Sequence, residues 1–139
     1  PKGRCQVSKY GAITVIDDTY NSNLESCSAS IDYLCAFSGA GRNIAVIGDM
    51  LELGSASKKQ HEKLGKKCNS SNLDAIFTLG VETLSTKNTI KDKKTNDHFE
   101  NHNHLISTLK SFLISNDKVL FKGSRGMQME KIISGVFEN

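Results

Sequence analysis

The sequence predicts an α/β domain: a mostly parallel sheet with helices on both faces. Three observations predict it. Short apolar runs alternate with longer segments of helical spacing along the 139 residues. Those runs are continuously apolar rather than alternating, as strands buried on both faces require. The only proline is at position 1, so glycine marks the internal boundaries, usually just after an apolar run. The length suffices for one domain with a real core, not for two.

The elements follow in order. Residues 12–18, AITVIDD, are β-branched and apolar and end in two aspartates, which predicts a buried strand and its carboxyl end. The polar turn TYNSN leads to residues 24–37, where Leu24, Cys27, Ile31, Leu34 and Cys35 recur at helical spacing. Gly39 and Gly41 then form the expected C-cap region. Residues 43–50, NIAVIGDM, predict a second strand, and a polar helix follows over about 55–68. Residues 73–80, LDAIFTLG, predict a third strand, whereas 85–97 are polar and predict no element. Leu105, Ile106, Leu109, Phe112 and Leu113 suit a helix over 102–115. DKVLFKG, residues 117–123, is a fourth clear strand, and Met127 to Phe137 suit a last helix.

Right-handed crossovers make such a sheet parallel. Functional groups then gather at the carboxyl ends of the strands. Here those ends carry DDTYNSN, GDMLELG, LG and KGSRGM.

Asp17 and Asp18 can hold a ribose hydroxyl, a cation or an arginine, or compensate the start of a helix. Asn21, Ser22 and Asn23 can bind a ligand or supply an N-cap, with Glu25 or Ser26 nearby. Tyr20 can stack on a purine or lie over a neighbouring helix. In GDMLELG, Gly48 permits a tight turn from which Asp49 projects, and Met50, Leu51 and Leu53 read as packing residues. Glu52 and His61 suit acid–base work or the surface and cap of a helix. In KGSRGM, the amides after Gly123 open a helix, where an anion is favoured, and Arg125 can add a charge-assisted pair. The other reading is an N-cap at Ser124 beside a solvent arginine.

Other classes of function have little support. Net charge is only +3, and the densest lysine cluster, Lys87 to Lys94, reads as solvated, so nucleic acid is not an expected partner. No apolar run is long enough to cross a membrane and no signal peptide stands at the start, which leads us to expect a cytoplasmic protein without membrane insertion. The cysteines at 5, 27, 35 and 68 form no CxxC pair and read as reduced thiols. His98, His102 and His104 lie in a polar segment without a thiolate or a helical i, i+4 histidine pair and read as surface residues, so no metal site is expected. Neither GxxxxGK[ST] nor GxGxxG occurs, so the chain has no phosphate loop of its own.

Taken together and in this order, DDTYNSN, RNIAVIGDMLELG and KGSRGMQME resemble the C-terminal domain of the Mur ligases, with His61 falling after ELG as in that family. The resemblance runs from about residue 3 to 136. It implies a Rossmann-like third domain that closes over a first domain binding a UDP-sugar and a central domain carrying the phosphate loop. Residues 1–4 then read as the end of the linker from that central domain.

Within the family, the chain is most similar to the branch that joins D-Ala-D-Ala to UDP-N-acetylmuramoyl-tripeptide through an acyl phosphate. ATP and Mg2+ would be held mainly by the other two domains. The resemblance implies that Asp18, Tyr20, Asn21 and Asn23 face the nucleotide, with Tyr20 against adenine. It implies that Asp49, Ser124, Arg125 and Gly126 line the D-Ala-D-Ala site, and it assigns no catalytic residue or metal ligand to this domain. One departure stands out: the family usually has Asn-Pro where this chain has Asn23-Leu24, which bears on the helix start more than on chemistry. The alternatives are a related ligase with a different amino substrate and a non-catalytic binding module.

Overall fold

The computed structural model describes residues 2–91 and 94–138. Six strands form one sheet: β1 (Gln6–Tyr10), β2 (Ile13–Asp18), β3 (Asn43–Gly48), β4 (Ala75–Leu79), β5 (Thr95–Phe99) and β6 (Lys118–Lys122). Their order is β1-β2-β6-β3-β4-β5. Only the β1–β2 pairing is antiparallel. The helices are α1 (Leu24–Ala36), α2 (Ser57–Ser70), α3 (Leu84–Thr89), α4 (His102–Phe112) and α5 (Glu130–Phe137).

The strands' period of two divides the core into halves. Ile16, Ala45, Ile47, Ile76 and Leu120 pack with Cys27, Ile31 and Leu34 of α1 and with Leu64 and Cys68 of α2. Val15, Val46, Phe77, Val119 and Phe121 pack on the other side with Leu105 and Leu109 of α4 and Ile132 and Ile133 of α5. Strands covered on both faces must be apolar throughout, hence the continuous runs.

Three elements were not predicted. β1 and β5 are edge strands, and among their ten positions only Phe99 is buried. α3 is six residues long and buries only Thr86. Elements that bury so little carry no apolar period to read.

Two boundaries also differ from expectation. α1 ends on Phe37 in extended backbone, with its N–H bonded to Leu34 O, so Gly39 and Gly41 do not cap it. Gly41 instead admits the Asn116 backbone, whose oxygen lies 1.6 Å from where a Cβ would stand. No helix opens directly after Gly123. A 3-10 turn spans Arg125–Met127, Gln128 is left-handed with φ 52, and α5 starts only at Glu130.

Because β6 sits between β2 and β3, the loops after those three strands are neighbours at the carboxyl edge. Asp18 of β2 is the register partner of Lys122 of β6, which is in turn opposite Ile47 of β3.

Candidate functional site

The site begins with that register. Lys122 is 2% exposed, and its Nζ donates to Asp18 Oδ2 at 2.9 Å and to Asn21 O at 2.9 Å. Asp18 also accepts from Ser30 Oγ and from the Cys5 N–H. Burial pushes the Asp18 carboxyl up. The hydrogen bonds from Ser30 and Lys122, the Lys122 charge and the Cys5 N–H outweigh that effect and hold it below the ordinary 3.8. Asp18 therefore reads as an ionised anchor for the loop that follows it.

That loop is shaped by its own side chains. Asp17 accepts from Thr19 N and Oγ1, and Asn21 Oδ1 accepts from Ser22 N. Asn23 is the N-cap of α1 and makes a capping box with Ser26, which explains a helix start without proline at Leu24. Asn21 and Asn23 thus give their carbonyl oxygens to the fold, while neither Nδ2 has an acceptor among the described residues.

Tyr20 is 39% exposed and stands between two guanidinium groups. The Arg4 guanidinium lies 4.0 Å from its ring centroid, and that of Arg125 lies 5.2 Å away. These distances suit cation–π attraction. Tyr20 N–H donates to Gly3 O, so residues 3–5 pack against this loop; Pro1 of the expected linker lies outside the described residues.

Behind the cleft, Asp49 is 4% exposed and accepts Glu82 N–H on Oδ2 and Thr83 N–H on Oδ1. Gly80 is at φ 119, and a Cβ there would lie 2.4 Å from that carboxylate. Asp49 is thus a buried brace between the loops after β3 and β4 and does not line the cleft. His61 is wholly buried. Its Nε2 accepts from Met50 N–H at 3.0 Å, and its Nδ1 faces Ser57 O at 2.8 Å. A backbone N–H on one nitrogen and a carbonyl on the other select the Nδ1–H tautomer.

The packing role expected of Leu51 needs correction. Met50 is fully buried and Leu53 partly so, but Leu51 is 38% exposed. Its N–H donates to Ser124 Oγ at 2.8 Å, and Ser124 N–H donates to Asp49 O at 3.0 Å. Ser124 is therefore a clamp between loops and makes no side-chain cap.

Three clefts of about 360, 380 and 450 Å3 share Tyr20. One runs over Asp18, Asn21, Asn23 and Lys122, beside Arg4. A second holds Leu51, Glu52, Ser124, Arg125 and Gly126. The third joins Arg125 to Lys2, Asp17 and Glu130. Of the eight residues singled out in the sequence, seven line these clefts and Asp49 stands behind them. Sequence reasoning missed Arg4, Leu51 as a lining residue, and Lys122. The signal for Lys122 was its place at the end of a strand, opposite a strand ending in Asp-Asp.

No helix among the described residues is long and apolar enough to cross a membrane. Among the same residues, no group of three or more His, Cys, Asp or Glu could hold a metal. His98 pairs with Thr78 Oγ1, and His102 Nε2 lies 2.9 Å from Met127 O. Lys94 folds back onto Ser71 O and Leu73 O, while Asp92 and Lys93 of the lysine cluster lie outside the described residues.

The family described as Mur ligase, glutamate ligase domain, matches residues 3–125. The chain is 30% identical over 132 residues to UDP-N-acetylmuramoyl-tripeptide–D-alanyl-D-alanine ligase of Bacillus subtilis, covering 91% of this chain and 28% of that protein. It is 37% identical over 126 residues to the ligase of the same name from Buchnera aphidicola, covering 89% of this chain and 27% of that one. The crystal structure of a MurF ligase from Thermotoga maritima in complex with ADP superposes with TM-score 0.83 at 33% identity, over 99% of this chain and 31% of that one. The chain thus spans under a third of the length of each of these three relatives.

Proposed function

The chain belongs to the Mur ligase family through its glutamate ligase domain, and on that premise we propose that it is the C-terminal domain of an ATP-dependent amide-bond ligase. The ligase joins D-Ala-D-Ala to UDP-N-acetylmuramoyl-tripeptide in peptidoglycan synthesis. A reaction fed by ATP and a UDP-linked precursor belongs in the cytoplasm. One observation carries the reading: the DDTYNSN, GDMLELG and KGSRGM loops meet around Tyr20 in adjoining clefts of ligand size. The relatives supply the substrates.

The Asp18–Asn23 side of Tyr20 takes the nucleoside. Its fit rests on the exposed Tyr20 ring and on the amide donors of Asn21 and Asn23 that the fold leaves over. Asp18 serves it by fixing the loop. The phosphates and Mg2+ are assigned to the rest of the ligase, where ATP phosphorylates the tripeptide carboxylate. The dipeptide amine then attacks that acyl phosphate, and the domain's part is to hold the dipeptide for the attack.

The Arg125 guanidinium grips the dipeptide carboxylate. α5 begins too late for its amides to do so, and Gly126 keeps that wall low. Ser124 and Asp49 act from behind by holding Leu51 and the loop after β3 in place.

In the complete ligase, Arg125→Ala is expected to raise the KM for D-Ala-D-Ala by about tenfold to a hundredfold, the worth of a charge-assisted hydrogen bond. An unchanged KM would overturn the carboxylate assignment. Phosphate release driven by D-glutamate or a diamino acid, and not by D-Ala-D-Ala, would overturn the substrate.

A further inference from the structure

We infer that Leu51 determines specificity, its side chain forming the apolar wall that reads the methyl group of the dipeptide's carboxyl-terminal residue. This rests on the function proposed above and adds to it the contact that favours alanine over glycine at that position.

Among the described residues, Leu51 is the only aliphatic side chain in a cleft otherwise built from Tyr20, Asn21, Glu52, Ser124 and Arg125, closed by Gly126. An isolated exposed leucine on an open surface calls for no account, but this one is held outward by specific bonds. The preceding residue, Met50, is fully buried, and its N–H is fixed by His61. Leu51's own N–H is fixed by Ser124 Oγ. The next residue, Glu52, is left-handed at φ 64, a conformation that a residue with a Cβ adopts only under constraint. Moving the loop to bury Leu51 would cost those two hydrogen bonds. The wall is preorganised, as a recognition contact requires.

Its position relative to Arg125 defines what it reads. Leu51 Cδ1 lies 3.0 Å from where a Cβ on Gly126 would stand, and Gly126 directly follows Arg125. Leu51 and Arg125 line the same cleft, so a carboxylate on that guanidinium places the side chain of the same residue within the cleft that Leu51 walls. Glycine there would leave Leu51 in water, whereas a methyl removes apolar surface from both partners. Residues with a polar or charged side chain would lose solvation against the leucine without gaining a partner.

The test compares kcat/KM for D-Ala-D-Ala and for D-Ala-Gly in the complete ligase. Wild type is expected to favour D-Ala-D-Ala, and Leu51→Ala to narrow that ratio about fourfold to tenfold, the worth of one methyl contact. The loss is expected in KM for the dipeptide, with KM for ATP unmoved. Leu51→Met keeps an apolar wall and is expected to keep the ratio. A ratio unmoved by Leu51→Ala in a ligase that still uses D-Ala-D-Ala overturns this inference alone. A wild-type ligase that accepts neither dipeptide overturns the proposed function and this inference with it.

Discussion

Lys122 holds its ammonium almost entirely out of water, so its contribution depends on Asp18 being ionised. Lys122→Met strands a largely buried carboxylate and is expected to cost about 3 kcal/mol at neutral pH in urea unfolding. The Asp18 carboxyl is held below its ordinary value in the folded state. Its stabilisation is therefore fully present above the unfolded value and is lost as pH falls through the lowered folded one. The gap between wild type and Lys122→Met should close on acidification below 3.8, the ordinary carboxylate value. An equal gap far below that pH would mean the pair is not its source. The sequence shows Asp18 and Lys122 as strand-end residues, but their contact spans 104 positions, which no local pattern reveals. His61 is similar: its spacing after ELG is legible, and its burial against the Met50 N–H is not.

Among the elements, α1 tests local encoding most cleanly. Its capping box and its Cys27–Ile31–Leu34 stripe are both readable within a few residues. Asn23→Ala is expected to cost about 1 kcal/mol in thermal or urea unfolding, because the Ser26 N–H loses its acceptor. Asn23→Ser should recover most of it; a loss equally large in both would place the role of Asn23 outside the cap. α5 shows the opposite case. Its apolar positions predicted a helix, but the turn through Arg125–Met127 and left-handed Gln128 delay its start to Glu130. That delay leaves Arg125 exposed beside Tyr20 and outside the first turn of α5. β1 and β5 were illegible because edge strands bury so few side chains that no apolar pattern is selected.

For the whole molecule, the cysteines report whether the α1–α2 layer of the core is closed. Burial pushes the Cys27 and Cys68 thiols up to about 12, so neither yields thiolate near neutral pH. Cys5 is exposed and Cys35 half-buried. Titration with a thiol reagent is expected to modify Cys5 first and Cys35 more slowly, with Cys27 and Cys68 reacting only on unfolding. Four equally fast thiols in the native protein would mean that the α1–α2 layer opens. The sequence by itself determined the order of the long elements, the parallel sheet covered on both faces, and the edge where the loops collect. Each of these follows from periodicity and glycine punctuation over a few residues. Tertiary structure alone decided which polar groups at that edge face the cleft. Inserting β6 between β2 and β3 buries Lys122 on Asp18 and brings Ser124 under Leu51, so that an apolar residue is held out to solvent, while the pairing of β3 with β4 turns Asp49 inward onto the Glu82 and Thr83 amides. Those outcomes depend on register between strands far apart in the chain, where the buried hydrogen bonds of one loop are completed by another.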